Sequence, residues 1–199
     1  LKEGKFEGWE PLGFLGMELN GNTLGIVGMG RIGTALARRA KAFGMNIIYH
    51  NRSRVEEELE KELDVTYIKS VRKLAERADV LSLHCPLTDE THHLINRDIL
   101  AALPSHAIVI NTARGPVIDE EALAEALHSG TLGGAGLDVF ENEPEVHPKI
   151  LNAPNCVITP HIASATHHSR KSIGMLAANA IIGVLQGKSE SDIPNLIQL

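Results

Sequence analysis

The 199-residue sequence has two cysteines, and Phe, Trp and Tyr together make up only 4% of it. Cys85 and Cys156 are far apart and match no zinc or redox spacing, so buried, reduced thiols are expected and neither is a strong nucleophile candidate. Positive charge is not in excess: 19 Lys and Arg against 25 Asp and Glu give a formal net charge of −6. That balance argues against a nucleic-acid or anionic-membrane surface, while local sites for small polar or anionic ligands stay open. No apolar run approaches the roughly 20 residues a membrane span requires, and no charged-then-apolar leader opens the chain. A cytoplasmic location is the default expectation. Repeats and low-complexity segments are also missing. What remains, 43% hydrophobic and 22% charged residues, is the make-up of a globular domain, or of one domain and a fraction.

The first 22 residues, with "GKFEGWEP" among them, show no clean helix or strand period and read as a connector. From Thr23 onward, short apolar runs rich in β-branched residues alternate with helix-period segments, the signature of an α/β fold. Strands are expected at Leu24–Val27, Asn46–Tyr49, Val80–Leu83, Ala107–Ile110, Gly134–Asp138 and Val157–Thr159. Helices are expected from Ile32 to Phe43 with Gly44 as the stop, over the charged and solvated "VEEELEKEL", and near Val71–Arg77, Arg97–Leu103 and Asp119–His128. Asp119 is placed to cap the last of these. A long helix from about Thr166 to Leu185 carries Ile173, Leu176, Ala177, Ala180, Ile181 and Val184 as one apolar stripe that must pack on something. The division expected is a connector (1–22), a Rossmann-type doubly wound parallel sheet (23–165) and a C-terminal helix with tail (166–199).

The stretch "LGIVGMGRIG" places Gly28, Gly30 and Gly33 after an expected strand and at the mouth of an expected helix. In that context Gly28 permits the tight turn, Gly30 lets the backbone approach a pyrophosphate, and Gly33 lets the helix pack on the strand. The phosphates would meet the free N–H groups and positive dipole end of the helix. At the end of the second strand, "IIYHNRSR" puts Asn51, Arg52, Ser53 and Arg54 where an NAD site usually has a ribose-binding acid. Guanidinium groups there suit a 2′-phosphate, which favours NADP(H), with NAD(H) possible. The other reading is that Arg52 and Arg54 simply start a solvated helix opposite Glu56–Glu58.

Three later stretches each follow an expected strand: "VINTARGP" with Arg114, "GLDVFENEP" with Asp138, Glu141 and Glu143, and "VITPHIASAT" with His161. Open α/β sheets bind ligands at the carboxyl ends of their strands, so a cation, an acid and an imidazole converge on one edge. Taken in this order, "GWEP", "GMGRIG", "NTARGP", "GLDVFENEP" and "TPHIASAT" make the sequence similar to the cofactor-binding domain of the D-isomer-specific 2-hydroxyacid dehydrogenases. "GWEP" and "HNRSR" are most similar to the glyoxylate and hydroxypyruvate reductases. The resemblance implies hydride transfer between a nicotinamide dinucleotide and a small 2-keto or 2-hydroxy acid. Arg114 would hold the carboxylate and polarise the carbonyl, His161 would donate the proton, and Glu143 would pair with His161. Asp138 would contact the nicotinamide carboxamide. Further cofactor contacts implied are Arg31 and Ile32, Pro86 and Thr91, Thr112, and Ser164. The adjacent pairs His92–His93 and His167–His168 make poor metal ligands, and no metal is expected.

The resemblance also implies a second domain that closes over the substrate, for which this chain has no room, and a homodimer through the cofactor domain with Trp9 as an anchor. A dinucleotide-sensing, corepressor-like module of the same family is the alternative from another class. A non-oxidoreductase of similar fold is a third, and leaves Arg114, Glu143 and His161 unexplained.

Overall fold

The computed structural model describes residues 2–13 and 15–193. Its centre is one sheet of seven strands: β1 (Thr23–Val27), β2 (Asn46–His50), β3 (Val65–Tyr67), β4 (Val80–Leu83), β5 (Ile108–Asn111), β6 (Gly134–Leu137) and β7 (Cys156–Ile158). All pairings are parallel, in the order β3-β2-β1-β4-β5-β6-β7. Parallel neighbours need crossovers, and helices supply them: α1 (Arg31–Ala42), α2 (Glu57–Leu63), α3 (Val71–Ala75), α4 (Arg97–Leu100), α5 (Glu120–His128) and α6 (Pro148–Leu151). The final helix, α7 (His167–Leu185), follows β7.

Strand periodicity divides the apolar residues between two cores. Leu24 and Ile26 of β1 and Ile47 and Tyr49 of β2 pack with Ala37 and Ala40 of α1 and Leu63 of α2. Val27, Ile48, Leu81, Leu83 and Val109 point the other way, onto Leu74, Leu123 and Leu127. The sheet is therefore covered on both faces, which is why its strands read as near-continuous apolar runs. The strand order reverses between β1 and β4, leaving a crevice beyond their carboxyl ends.

Every expected strand and helix is present to within a few residues, and Asp119 caps α5 by accepting a bond from Ala122 N–H at 2.9 Å. The edge strand β3 and the one-turn helix α6 are additions. Both are too short to show a period, at three and four residues. Two expectations need correcting. The charged helix α2 is not solvated throughout, because Glu60 is only 6% exposed. Nor does α7 carry a one-sided stripe: Met175 and Ile182 lie off it, and its large apolar residues are exposed, from Leu176 at 46% to Leu185 at 81%. Gly183 is the buried position of α7, packed against Ile193.

Candidate active site

The glycine turn is built by sterics. Gly28 has φ +100, and a Cβ there would lie 2.6 Å from the carbonyl carbon of His84, so both the conformation and the neighbouring strand demand glycine. At Gly33 a Cβ would fall 2.2 Å from the Gly28 carbonyl oxygen; only glycine lets α1 sit this close to the turn. Gly30 is different, since nothing lies within 4 Å of a Cβ there and the backbone faces open space. Helix α1 then starts with no side-chain cap and no acid in its first turn, with the exposed Arg31 and Ile32 as its first residues. Uncapped N–H groups beside an open glycine and a cation form a cradle for an anion such as a pyrophosphate.

A cavity of about 430 Å³ continues from this cradle. Its walls include Gly28, Gly30, Asn51, Arg52, Ser53, Pro86 and Thr91, all expected from the sequence. They also include His50, His84, Cys85, Thr88, Glu90 and Leu94, which sequence reasoning missed. Five of these six follow β4 in the segment "HCPLTDETHHL", whose first residues lie beside the glycine turn: His84 N–H donates to Val27 O at 2.7 Å. Burial pushes the His84 imidazole down and the Cys85 thiol up, so both line the cavity as neutral groups. Thr91 holds the segment in a tight turn, its hydroxyl donating to Pro86 O at 2.6 Å and accepting from Thr88 N–H at 2.8 Å.

The four residues after β2 do not share one role. The carboxamide oxygen of Asn51 accepts from Met29 N–H, between the first two glycines, at 2.8 Å, so Asn51 braces the turn. Arg52 and Ser53 are exposed to the cavity. Arg54 is not among the cavity-lining residues and corrects the expectation that both arginines face a phosphate. Its guanidinium takes the carboxylate of Glu60 in a forked grip, Nε to Oε1 at 2.8 Å and Nη2 to Oε2 at 2.5 Å. For Arg54 the alternative of pairing with the following helix holds, through Glu60 rather than Glu56–Glu58. The signal lay in the helix period: Glu60 is three residues before the buried Leu63 and so shares its face.

Arg114, Glu143 and His161 lie on the β5–β7 half of the same edge. The side chain of Asn111, 1% exposed, shapes the turn after β5: its amide donates to Arg114 O at 2.9 Å and its oxygen accepts from Ala113 N–H at 3.0 Å. Thr112 and Arg114 are both left exposed beside this turn. Glu143 Oε1 accepts from Phe140 N–H at 3.0 Å, and Oε2 meets His161 Nδ1 at 2.8 Å. That bond to His161 lowers the Glu143 carboxyl below its usual range, with smaller help from the Phe140 N–H and the Arg114 charge. A carboxylate can only accept, so Nδ1 carries the proton and Nε2 faces outward from a half-exposed ring.

His161 is held in the left-handed region at φ +54, a conformation that non-glycine residues seldom adopt. Asp138 enforces it. Its carbonyl accepts from His161 N–H, and its carboxylate accepts from Thr159 Oγ1 at 2.5 Å and from the N–H groups of Ile162 and Ala163, each at 2.8 Å. Asp138 is 3% exposed; burial pushes its carboxyl up, but these bonds outweigh it and lower it. The structure thus gives Asp138 a bracing task that the sequence did not disclose. Ser164 lies exposed just beyond this loop. The Arg114 and Glu143 loops meet at Gly115, where a Cβ would stand 1.9 Å from the Phe140 carbonyl carbon. Glu120 and Glu141 cross-link the same two segments, each carboxylate accepting the other's backbone N–H at 2.8 Å. Among the described residues no group of His, Cys, Asp and Glu could hold a metal ion, and no helix is long and apolar enough to cross a membrane.

A doubly wound sheet with a glycine cradle at its switch point and a paired histidine and glutamate beyond its later strands defines a dinucleotide-binding domain of dehydrogenase type. Residues 1–163 match the family described as D-isomer specific 2-hydroxyacid dehydrogenase, NAD binding domain. The chain belongs to that family. Among curated proteins it is 48% identical over 190 residues to the glyoxylate reductase of Thermococcus litoralis, an alignment covering 96% of this chain and 56% of that enzyme. Among solved structures, a Thermus thermophilus protein superposes with a TM-score of 0.90 at 45% identity, over 99% of this chain and 60% of that one. The NADPH-dependent glyoxylate/hydroxypyruvate reductase of Sinorhizobium meliloti, solved with NADP and malonate, gives 0.84 at 40% identity, over 92% of this chain and 56% of that one. The chain therefore spans a little over half the length of these relatives.

Proposed function

We propose that this chain is the dinucleotide-binding part of a reductase that converts glyoxylate or hydroxypyruvate to the 2-hydroxy acid, with NADP(H) preferred over NAD(H). The observation that carries this reading is the His161–Glu143 pair, 2.8 Å apart, on the edge of the sheet that also holds the glycine cradle and Arg52. When bound, the dinucleotide supplies a hydride to C2 of the keto acid. His161 gives the proton on Nε2 to the carbonyl oxygen, the carbonyl π bond breaks as the C–H and O–H bonds form, and Glu143 keeps the ring aligned and its charge matched. Arg114 holds the substrate carboxylate and draws electron density toward the carbonyl oxygen. Asp138 contributes by fixing the His161 loop, and its second oxygen, which accepts one bond within the protein, is the atom suited to a carboxamide N–H. Thr112 and Ser164 would complete the nicotinamide end, Arg31 and Ile32 the pyrophosphate end.

His161 is half-exposed, so efficient turnover requires a further domain to exclude water from it. The 83% exposure of Trp9 supports the reading that its segment seats on a second copy, giving a homodimer. Titrating the chain with NADPH and NADH by nicotinamide fluorescence tests the cofactor assignment. NADPH should bind at least about tenfold more tightly, the scale of a charge-assisted bond to the extra phosphate. Tighter binding of NADH would overturn the preference, and failure of both would overturn the reading of the cradle.

A further inference from the structure

Arg54 raises a question that the cofactor reading leaves open. It stands one residue beyond Ser53, which lines the cavity, yet its guanidinium is turned onto α2. Its partner, Glu60, has a side chain only 6% exposed although it lies in a helix otherwise rich in solvated charge. The same carboxylate also accepts from the Tyr49 hydroxyl at 2.5 Å, and Tyr49, fully buried on β2, accepts in turn from Val55 N–H at 3.0 Å. The loop is thus pinned at its start by Asn51 on the glycine turn and at its end by Arg54 and Val55 on the Glu60–Tyr49 pair. Arg52 and Ser53 are the two residues between those pins. A buried carboxylate with a bidentate guanidinium and a hydroxyl is a site of fixed charge and fixed geometry, unlike a surface ion pair.

We infer that Glu60 is a positioning residue for cofactor discrimination: it withholds Arg54 from the adenosine end of the cavity and leaves Arg52 as the cation that reads a 2′-phosphate. The inference rests on the NADP(H) reading above. Glu60 neutralises Arg54 and fixes the loop before ligand arrives, so the charge offered to the phosphate is one guanidinium rather than two. Removing the Glu60 charge alone should release the second.

Fluorescence titrations of the 199-residue chain separate these statements. Arg52→Ala probes the foundation: NADPH affinity should fall about tenfold or more with NADH within about twofold, and an unaffected NADPH affinity removes the NADP(H) reading itself. Arg54→Ala, at a side chain that is itself exposed, should keep the NADPH to NADH affinity ratio within about twofold, with circular dichroism checking that the fold survives loss of the Glu60 counter-ion. A fall in that ratio matching Arg52→Ala would overturn the inference, because Arg54 would already be reading the phosphate. Glu60→Gln keeps volume and an acceptor for Tyr49 while deleting the charge, and should raise the ratio about fivefold through the freed guanidinium. Adding Arg54→Ala to Glu60→Gln should bring the ratio back to that of the parent. An unchanged ratio in Glu60→Gln, or equal weakening of both dinucleotides, would mean a merely structural glutamate. Should Glu60→Gln fail to fold, Arg54→Ala still decides.

Discussion

Glu60 beside β2 and Glu120 at the start of α5 are buried to the same depth, 6% and 5% exposed, and their carboxyls are driven in opposite directions. The forked bonds from Arg54, then the Tyr49 hydroxyl, hold Glu60 below the usual carboxylate range. Burial pushes Glu120 above it, since its partner is the neutral N–H of Glu141 and its neighbours include the like charges of Glu141 and Glu143. Depth of burial alone therefore does not set the state of a carboxylate; the number and charge of the groups that meet it decide the direction. The two ends of the sheet edge use the same residue type differently. At the β2 end a glutamate fixes where a cation stands, and at the β5–β7 end glutamates cross-link the backbone segments that carry Arg114 and Glu143, and Glu143 holds His161.

If the β5–β7 end is the chemical one, its outward imidazole should dominate any comparison of effects. In a chimaera where this chain replaces the matching part of Thermococcus litoralis glyoxylate reductase, His161→Gln should lower turnover by about 10²–10⁴-fold while NADPH affinity stays within about twofold. An undiminished rate at neutral pH would break the division of the edge into a binding end and a chemical end. The next effect in size belongs to the brace. Asp138→Ala strips acceptors from Thr159, Ile162 and Ala163 at once and should destabilise the chain by about 2–4 kcal/mol, seen as a lower thermal midpoint. A shift no larger than that of a surface alanine substitution would show that the left-handed His161 needs no such support.

The smallest effects sharpen the comparison most, through their signs. A carboxyl lowered in the folded state, such as Glu60 or Glu143, adds stability above its unfolded value that is lost as pH falls through its folded value. The raised carboxyl of Glu120 acts in reverse: it detracts from stability at neutral pH and is relieved as pH falls through its raised folded value. Glu60→Gln should therefore lower the melting temperature at pH 7 and Glu120→Gln should raise it; the Glu120 difference should close by about pH 4, and the Glu60 difference only at lower pH, as its lowered folded value is passed. Melting curves of the two variants at both pH values check this. Shifts of the same sign at pH 7 would remove the contrast between the two sites.

Much of this edge was legible in the sequence because its signals are local. Gly28, Gly30 and Gly33 are recognisable from spacing and flanking periods, and Arg114 and His161 from their places just after apolar runs, whereas Glu143 is told apart from Asp138 and Glu141 only by the family resemblance. What stayed hidden depends on neighbours remote in sequence. Nothing in "HCPLTDETHHL" says that His84 will lie against Gly28, since that follows from the β1–β4 pairing. The different fates of Arg52 and Arg54 hinge on which glutamate of a charged helix turns inward, and the bracing by Asp138 on a loop some twenty residues later. The stripe expected on α7 failed for another reason: apolar residues occur all around that helix, so selecting those at one spacing imposed a face the sequence does not have.

The strand order has a consequence for how the chain emerges during synthesis. Every residue lining the cavity beside the glycine cradle lies between Val27 and Leu94, whereas Arg114, Glu143 and His161 come later. The β1–β4 pairing needs nothing beyond Leu83, yet the segment that closes the cavity is anchored later in the chain: His93 N–H donates to Pro116 O at 2.8 Å and Ile95 N–H to Val117 O at 3.0 Å. The pocket is thus set only once residues 116 and 117 have emerged from the ribosome, with β5 already made, and the remaining strands add in order of their neighbours, β6 on β5 and β7 on β6.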